Sequence, residues 1–267
     1  MYFLQKLKIS EIFYFGDILN QNRLHCQYNL LMKSKFLQSG SEAILSFLYP
    51  RLCVSCSERL SLKKEVLCIK CLYKIPKTDF HLRFDNPFTD RLCGRFHFQT
   101  GTACFQFTKG GHTQALIHAL KYGGRKEIAS SVGENYGKKL LASSPYRNVD
   151  CIVPVPMHIS KERIRGYNQA EVFAKGLSNS MNKPIFTSAL IKIRKTESQT
   201  ARNRFGRLEN VSEVYKAGKN AQVLKHKHIL LVDDVLTTGA TLEACALELA
   251  DVEGLEISMA TIAIAAH

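Results

Sequence analysis

Asp233 and Asp234 are adjacent carboxylates that directly follow four apolar residues, 229–232, and precede Thr237, Thr238, Gly239, Ala240 and Thr241. An apolar run of that kind reads as a strand buried on both faces. The backbone is expected to turn where the run ends, so that both carboxylates converge on one ligand. Small side chains in the following loop leave backbone N–H groups uncovered, the glycine permits a tight turn, and three hydroxyls add donors. A helical stretch over residues 242–250 comes next, and a helix N-terminus behind such a loop favours an anion. Carboxylates for hydroxyl groups beside a cradle for phosphate suit a phosphorylated sugar. A Walker-type phosphate loop is excluded, because the G-x-x-x-x-G-K-[ST] pattern is absent from the sequence.

A second set of chemically capable residues is Cys53 and Cys56, then, after eleven residues, Cys68 and Cys71. Two C-x-x-C knuckles supply four thiolates to one tetrahedral Zn²⁺. Four sulfurs leave no open position on the metal, so its expected part is structural. A short module with few large apolar residues needs such a staple. Nearby His81, Cys93 and His97 are read as core or surface residues.

The chain must position both sets within 267 residues, a length that suits one ordinary domain plus a small one. A hydrophobic content of 45% is enough for a core. The net charge of +14 points to an anionic partner. Nine cysteines without a secretory signal argue for a reducing compartment. No run reaches the length of a membrane-spanning helix, and a cytoplasmic location is the expectation.

In chain order, residues 1–41 carry no motif and read as an N-terminal extension, expected to be untranslated or disordered, with Met32 as an alternative start. Residues 42–48 read as a short amphipathic helix. Residues 42–95 form the zinc module and linker, with 72–95 loop-rich because Pro76, Pro87 and Gly94 act as breakers. Residues 96–267 form the main domain. Within it, 102–107 alternates like a strand, Ala115, Leu116, Ala119 and Leu120 keep a helical spacing, and a second helix spans about 126–141. Residues 150–153 make a buried strand, followed by Pro154-Val155-Pro156 and the basic Lys161, Arg163 and Arg165. A helix runs from 169 to about 180, a further strand covers 189–193, Tyr215 lies on a short strand, and the last strand is 257–264. Between them, residues 194–205 carry Arg194, Lys195, Arg202 and Arg204 against one acid, a composition suited to a mobile cover over a diphosphate. No histidine stands out as a general base; His112, His118 and His158 are read as structural or surface residues.

The run from Val232 to Thr241 resembles the phosphoribosyl-pyrophosphate (PRPP) signature of type I phosphoribosyltransferases. Leu48-Tyr49-Pro50 before the first knuckle, both knuckles, Pro154-Val155-Pro156, Arg165-Gly166-Tyr167-Asn168-Gln169, Thr196 and Ser198-Gln199 extend the likeness. Over roughly residues 42–267 the whole resembles the ComF family. That resemblance implies an α/β chain: a type I phosphoribosyltransferase-like fold with a central, mainly parallel sheet, plus a small N-terminal four-cysteine zinc module.

The resemblance further implies PRPP binding with Mg²⁺ and a part in DNA uptake during natural competence. Asp233 and Asp234 would then meet the ribose hydroxyls as the catalytic pair, and Thr237, Thr238, Gly239, Ala240 and Thr241 the 5′-phosphate. The loop at Val155 and Pro156 would meet pyrophosphate, with Arg163, Arg165, Lys195 and Arg202 as its cationic candidates. Gly239 is expected to be bare so that phosphate can approach the backbone. The alternative is a non-catalytic accessory of transformation that binds single-stranded DNA through Arg163, Arg165, Arg194, Lys195, Arg202 and Arg204, with Tyr167 or Phe205 stacking on bases. Partners would be PRPP, single-stranded DNA and the DNA-uptake machinery. A glutamine-dependent enzyme is not expected, because no N-terminal nucleophilic cysteine is present.

Overall fold

The computed structural model describes residues 50–60, 66–193 and 214–266. The extension 1–41, the helix expected at 42–48, and the basic stretch 194–205 with Lys195 and Arg202 lie outside the described residues. The elements in order are α1 (Ile69–Lys74), α2 (Pro87–Leu92), β1 (Thr100–Phe107), α3 (His112–Tyr122), α4 (Glu127–Ala142), β2 (Cys151–Pro154), α5 (Ile159–Arg165), α6 (Gln169–Met181), β3 (Leu190–Lys192), β4 (Tyr215–Ala217), β5 (His228–Leu236), α7 (Ala240–Glu248) and β6 (Glu256–Ala265).

Four of the strands form one sheet in the order β1-β6-β5-β2, every pair parallel. Parallel strands are covered on both faces and therefore read as continuous apolar runs. Alternation along β5 divides the core in two. Leu230 and Val232 face one layer, with Leu116, Leu120, Tyr136, Phe173 and Leu177 from α3, α4 and α6. Ile229 and Leu231 face the other, with Phe88 and Leu92 of α2, Leu190, Tyr215, and Leu242 and Cys245 of α7; past the acid pair the alternation breaks and Leu236 joins this second layer. Helices α4 and α6 cross closely because Gly133 and Gly176 meet there; a Cβ on Gly176 would lie 2.2 Å from the Ser130 carbonyl oxygen.

The strand expected at 189–193 is not part of this sheet. It pairs antiparallel with β4 in a separate two-stranded ribbon, Ile191 opposite Lys216. The stretch 72–95 holds more structure than its prolines suggest. Pro87 does not break a helix but starts one: it occupies the first turn of α2, where no N–H is needed. Asn86 caps that turn by accepting from the Phe88 amide, and its own amide donates to the Thr89 hydroxyl. The cysteine-bearing segment packs into the first core layer, with Cys53, Leu60, Val66, Cys68 and Cys71 beside Phe105 and Leu116. No helix among the described residues is long and apolar enough to cross a membrane.

Candidate functional site

The acid pair lies within β5, not after it. The strand continues to Leu236, so the expected turn at Asp233 does not occur. What opens the site is an overhang. β2 pairs with β5 only as far as Pro154 opposite Val232, whereas β6 follows β5 to Leu236 opposite Ile264. From Asp233 onward, β5 has no β2 partner. Strand alternation sends Asp233 and Asp234 toward opposite layers, so a ligand meeting both must lie across this free edge. Such a crevice beyond the strand ends is where open α/β sheets bind ligands.

Each carboxylate has its own surroundings. Asp234 is ion-paired with Lys121 of α3, Nζ to Oδ2 3.0 Å. Its amide donates to Asp233 Oδ1 at 2.8 Å. Burial pushes the Asp233 carboxyl up to about 7, and the neighbouring Asp234 charge adds to the rise; the Asp234 amide, Lys121 and Lys192 oppose it. Lys192 of β3 reaches the site from the other layer. Its ammonium donates to the Tyr215 hydroxyl at 2.8 Å and lies 4.6 Å from the centre of the Tyr215 ring. Burial lowers the Lys192 pKa, as does nearby Lys161, while Asp233 works in the opposite direction.

The loop after β5 is held from behind. Arg91 donates to the Thr237 carbonyl (2.9 Å), and Arg95 donates to the Thr238 carbonyl (2.7 Å) and pairs with Glu243 of α7 (3.4 Å). With carbonyls taken by these arginines, the loop turns its polarity so that acceptors face α2. Thr237 and Thr238 are exposed, Thr241 is half-buried near the Tyr215 hydroxyl, and Gly239 precedes Ala240 at the start of α7. Gly239 makes the tight turn expected of it, and its surroundings give glycine a second reason. Its φ of +88° is left-handed, and a Cβ would lie 2.3 Å from Leu92 Cδ2. The space beside its Cα belongs to Leu92, not to a ligand.

The loop after β2 is anchored to its neighbours. The Val155 amide donates to the Val232 carbonyl (2.9 Å), its carbonyl accepts from Asn168 Nδ2 (3.0 Å), and its side chain is buried. Pro156 has no N–H. Neither residue therefore has a free backbone N–H. Arg163 is exposed on α5, whereas Arg165 is engaged, donating to Gln169 Oε1 (3.1 Å) and lying over the Tyr122 ring (5.7 Å). The three histidines have structural partners: His112 Nδ1 is 2.5 Å from Ser55 Oγ, the His118 ring lies 5.0 Å from the Tyr122 ring at a tilt of 48°, and His158 caps α5 by accepting from the Ser160 amide.

Away from this crevice, Cys53, Cys56, Cys68 and Cys71 come together, their sulfurs all within 4.8 Å of one another. Tetrahedral zinc holds thiolates about 3.8 Å apart, given a Zn–S length of ~2.3 Å, and the Cys56–Cys68 separation is 3.5 Å. The donor set fits one metal ion. Burial raises the Cys53 thiol, but the amides of Cys68, Ser55 and Cys56 outweigh it and hold the pKa down to about 7. Burial, with the neighbouring thiols, pushes Cys71 up to about 12. Backbone amides aimed at a sulfur favour the thiolate that a metal requires.

The chain matches the family described as phosphoribosyl transferase domain over residues 168–267, which takes in α6, the β3–β4 ribbon, the acid pair and its loop. It is 25% identical over 230 residues to Competence protein F of Haemophilus influenzae, covering 85% of this chain and 89% of that protein. These likenesses support a phosphoribosyltransferase-like protein of the ComF family. It is also 30% identical over 129 residues to DNA utilization protein YhgH of Escherichia coli, covering 47% of this chain and 56% of that one. With Competence protein ComFC of Bacillus subtilis it shares 28% identity over 140 residues, 52% of this chain and 54% of that protein. The chain thus spans about half the length of these last two relatives. The matched region also takes in the last described strand, β6. Arg91, Arg95, Lys121 and Lys192 precede or interleave the motifs. Only a three-dimensional arrangement brings them to the crevice, and no local pattern marks them.

Proposed function

We propose that the protein binds PRPP together with Mg²⁺ and acts in DNA uptake during competence. The observation that carries this reading is the overhang of β5, which sets two carboxylates beside a hydroxyl-rich loop at the start of α7. Asp233 and Asp234 would accept hydrogen bonds from the ribose hydroxyls. Thr237, Thr238 and Thr241 would donate to the 5′-phosphate, with the amides of Gly239 and Ala240 and the positive end of α7 behind them. Arg163, Lys195 and Arg202 would meet the diphosphate; Arg165 would shape that end from its seat on Tyr122. Mg²⁺ binds phosphate oxygens with few protein ligands and eases departure of a diphosphate. A transfer would break the bond from the anomeric carbon to pyrophosphate, and fixed cations would stabilise the charge gathering on the leaving group. The four cysteines would hold a structural zinc that staples the two knuckles together. PRPP titration with and without Mg²⁺, followed by a pyrophosphate-release screen against bases, amines and single-stranded DNA, tests binding and turnover separately.

A second reading is a DNA-binding accessory that uses the same fold without turnover. The names of the relatives, competence and DNA utilization, and the net charge of +14 favour it. Of its six basic residues, Arg163 and Arg165 lie in the last turn of α5. Backbone contacts to DNA release counterions, so binding to a short oligonucleotide should weaken steeply with salt, and Mg²⁺–PRPP should compete if the sites overlap.

A further inference from the structure

Lys121 belongs to none of the motifs, yet its ammonium is the cation in contact with Asp234, 3.0 Å away. Both side chains are largely withdrawn from solvent, 24% and 13% exposed, so this pair is screened less than a surface one. The backbone that delivers Lys121 is fixed at several points. The Tyr167 hydroxyl donates to the Leu120 carbonyl, Arg165 lies over the Tyr122 ring, and the Gly123 amide closes α3 on the Ala119 carbonyl. At its other end α3 starts at His112, which is tied to Ser55 in the first cysteine knuckle. Lys192 approaches from the opposite layer and acts on Asp233. Two acids thus face two lysines, and the crevice carries little net negative charge before any ligand arrives.

Hard divalent cations need uncompensated oxygen charge or phosphate oxygens to give up water. We propose that Lys121 is the resident cation of the acid pair. It occupies Asp234 in the ligand-free protein and keeps a free divalent ion off the carboxylates, so that metal reaches this site only when a diphosphate carries it in. The role in PRPP chemistry rests on the function proposed above; the exclusion of free metal does not, and it is measured without PRPP.

The test is Mn²⁺ binding, followed by electron paramagnetic resonance of free Mn²⁺, to the full chain with its cysteine site saturated with zinc. Wild type and Lys121→Arg, which keeps the cation, should show no Mn²⁺ bound at the pair. Lys121→Met and the more polar Lys121→Gln should each gain one site, tighter by roughly tenfold or more, as expected when a fixed positive charge near a carboxylate is removed. Adding Asp234→Asn to either variant should abolish the gain. Wild type that binds Mn²⁺ in an Asp234-dependent manner, or neutral variants that fold and gain no site, would overturn the proposal. A wild type that ignores PRPP but behaves as described toward Mn²⁺ would remove the PRPP reading and leave Lys121 in this role.

Discussion

Replacing Gly239 by alanine isolates the loop's backbone geometry from anything the loop binds. Two costs follow from the structure. A φ of +88° is left-handed, which costs an ordinary L-residue about 1–2 kcal/mol. The new Cβ would also stand 2.3 Å from Leu92 Cδ2, and Leu92 is fully buried, so it has little room to retreat. Forcing a methyl into packed surroundings costs about 1–3 kcal/mol. The sum, about 2–5 kcal/mol, should lower the urea midpoint by roughly 0.7–2.5 M for an m-value of ~2–3 kcal/mol/M. Leu92→Ala in the same background separates the two terms. Alone it should cost about 2–5 kcal/mol through a cavity. Combined with Gly239→Ala it should cost less than the sum by about 1–3 kcal/mol, because the new methyl enters the space that leucine left. A Gly239→Ala change within ~0.5 kcal/mol of wild type, or strict additivity in the cycle, would refute the argument that Leu92 dictates this glycine.

The cysteine cluster should hold one zinc per chain, and chelation or Cys71→Ser should lower the thermal midpoint of the whole unit, since metal binding free energy is folding free energy; metal-free protein with four freely titrating thiols would contradict this. The pKa of Asp233 is raised to about 7 in the folded protein. The folded state therefore holds this proton more tightly than the unfolded chain, and the resulting stability is present below the ordinary carboxylate range and lost as pH rises through about 7. Urea midpoints of Asp233→Asn should accordingly gain on wild type between about pH 4 and pH 8, whereas parallel pH curves would show that Asp233 is not so perturbed. Arg95→Ala should cost under ~1 kcal/mol of stability, as its ion pair is part-exposed, yet weaken PRPP binding several-fold by freeing the Thr238 carbonyl; unchanged affinity would separate the α2 clamp from the site.

Much of the fold was legible because parallel strands announce themselves as apolar runs and the helices on them keep a helical period. The acid pair and its loop were legible for a different reason: their order along the chain is itself the motif. The course of the backbone through Asp233 was not, since nothing in residues 228–236 says that β2 ends at Pro154 while β6 continues. Pro87 was misread because proline both ends helices and begins them, and the deciding residues are the caps at Asn86 and Thr89. That the Val155 amide bonds to the Val232 carbonyl was not legible either, because it depends on how β2 and β5 pair. Lys121 lies 113 residues before Asp234 (234 − 121) and Arg91 146 residues before Thr237 (237 − 91). Contacts of such separation are set by the packing of helices on the sheet, which no local spacing encodes.

The central claim is that the β5 overhang and its loop form a PRPP site. Isothermal titration of PRPP into the zinc-saturated full chain, with and without Mg²⁺, tests it most directly. One PRPP should bind per chain with Mg²⁺ present, more weakly without it, and Asp233→Asn with Asp234→Asn should lose most of the affinity while remaining folded. No binding under any metal condition, or binding that survives loss of both carboxylates, would contradict the account.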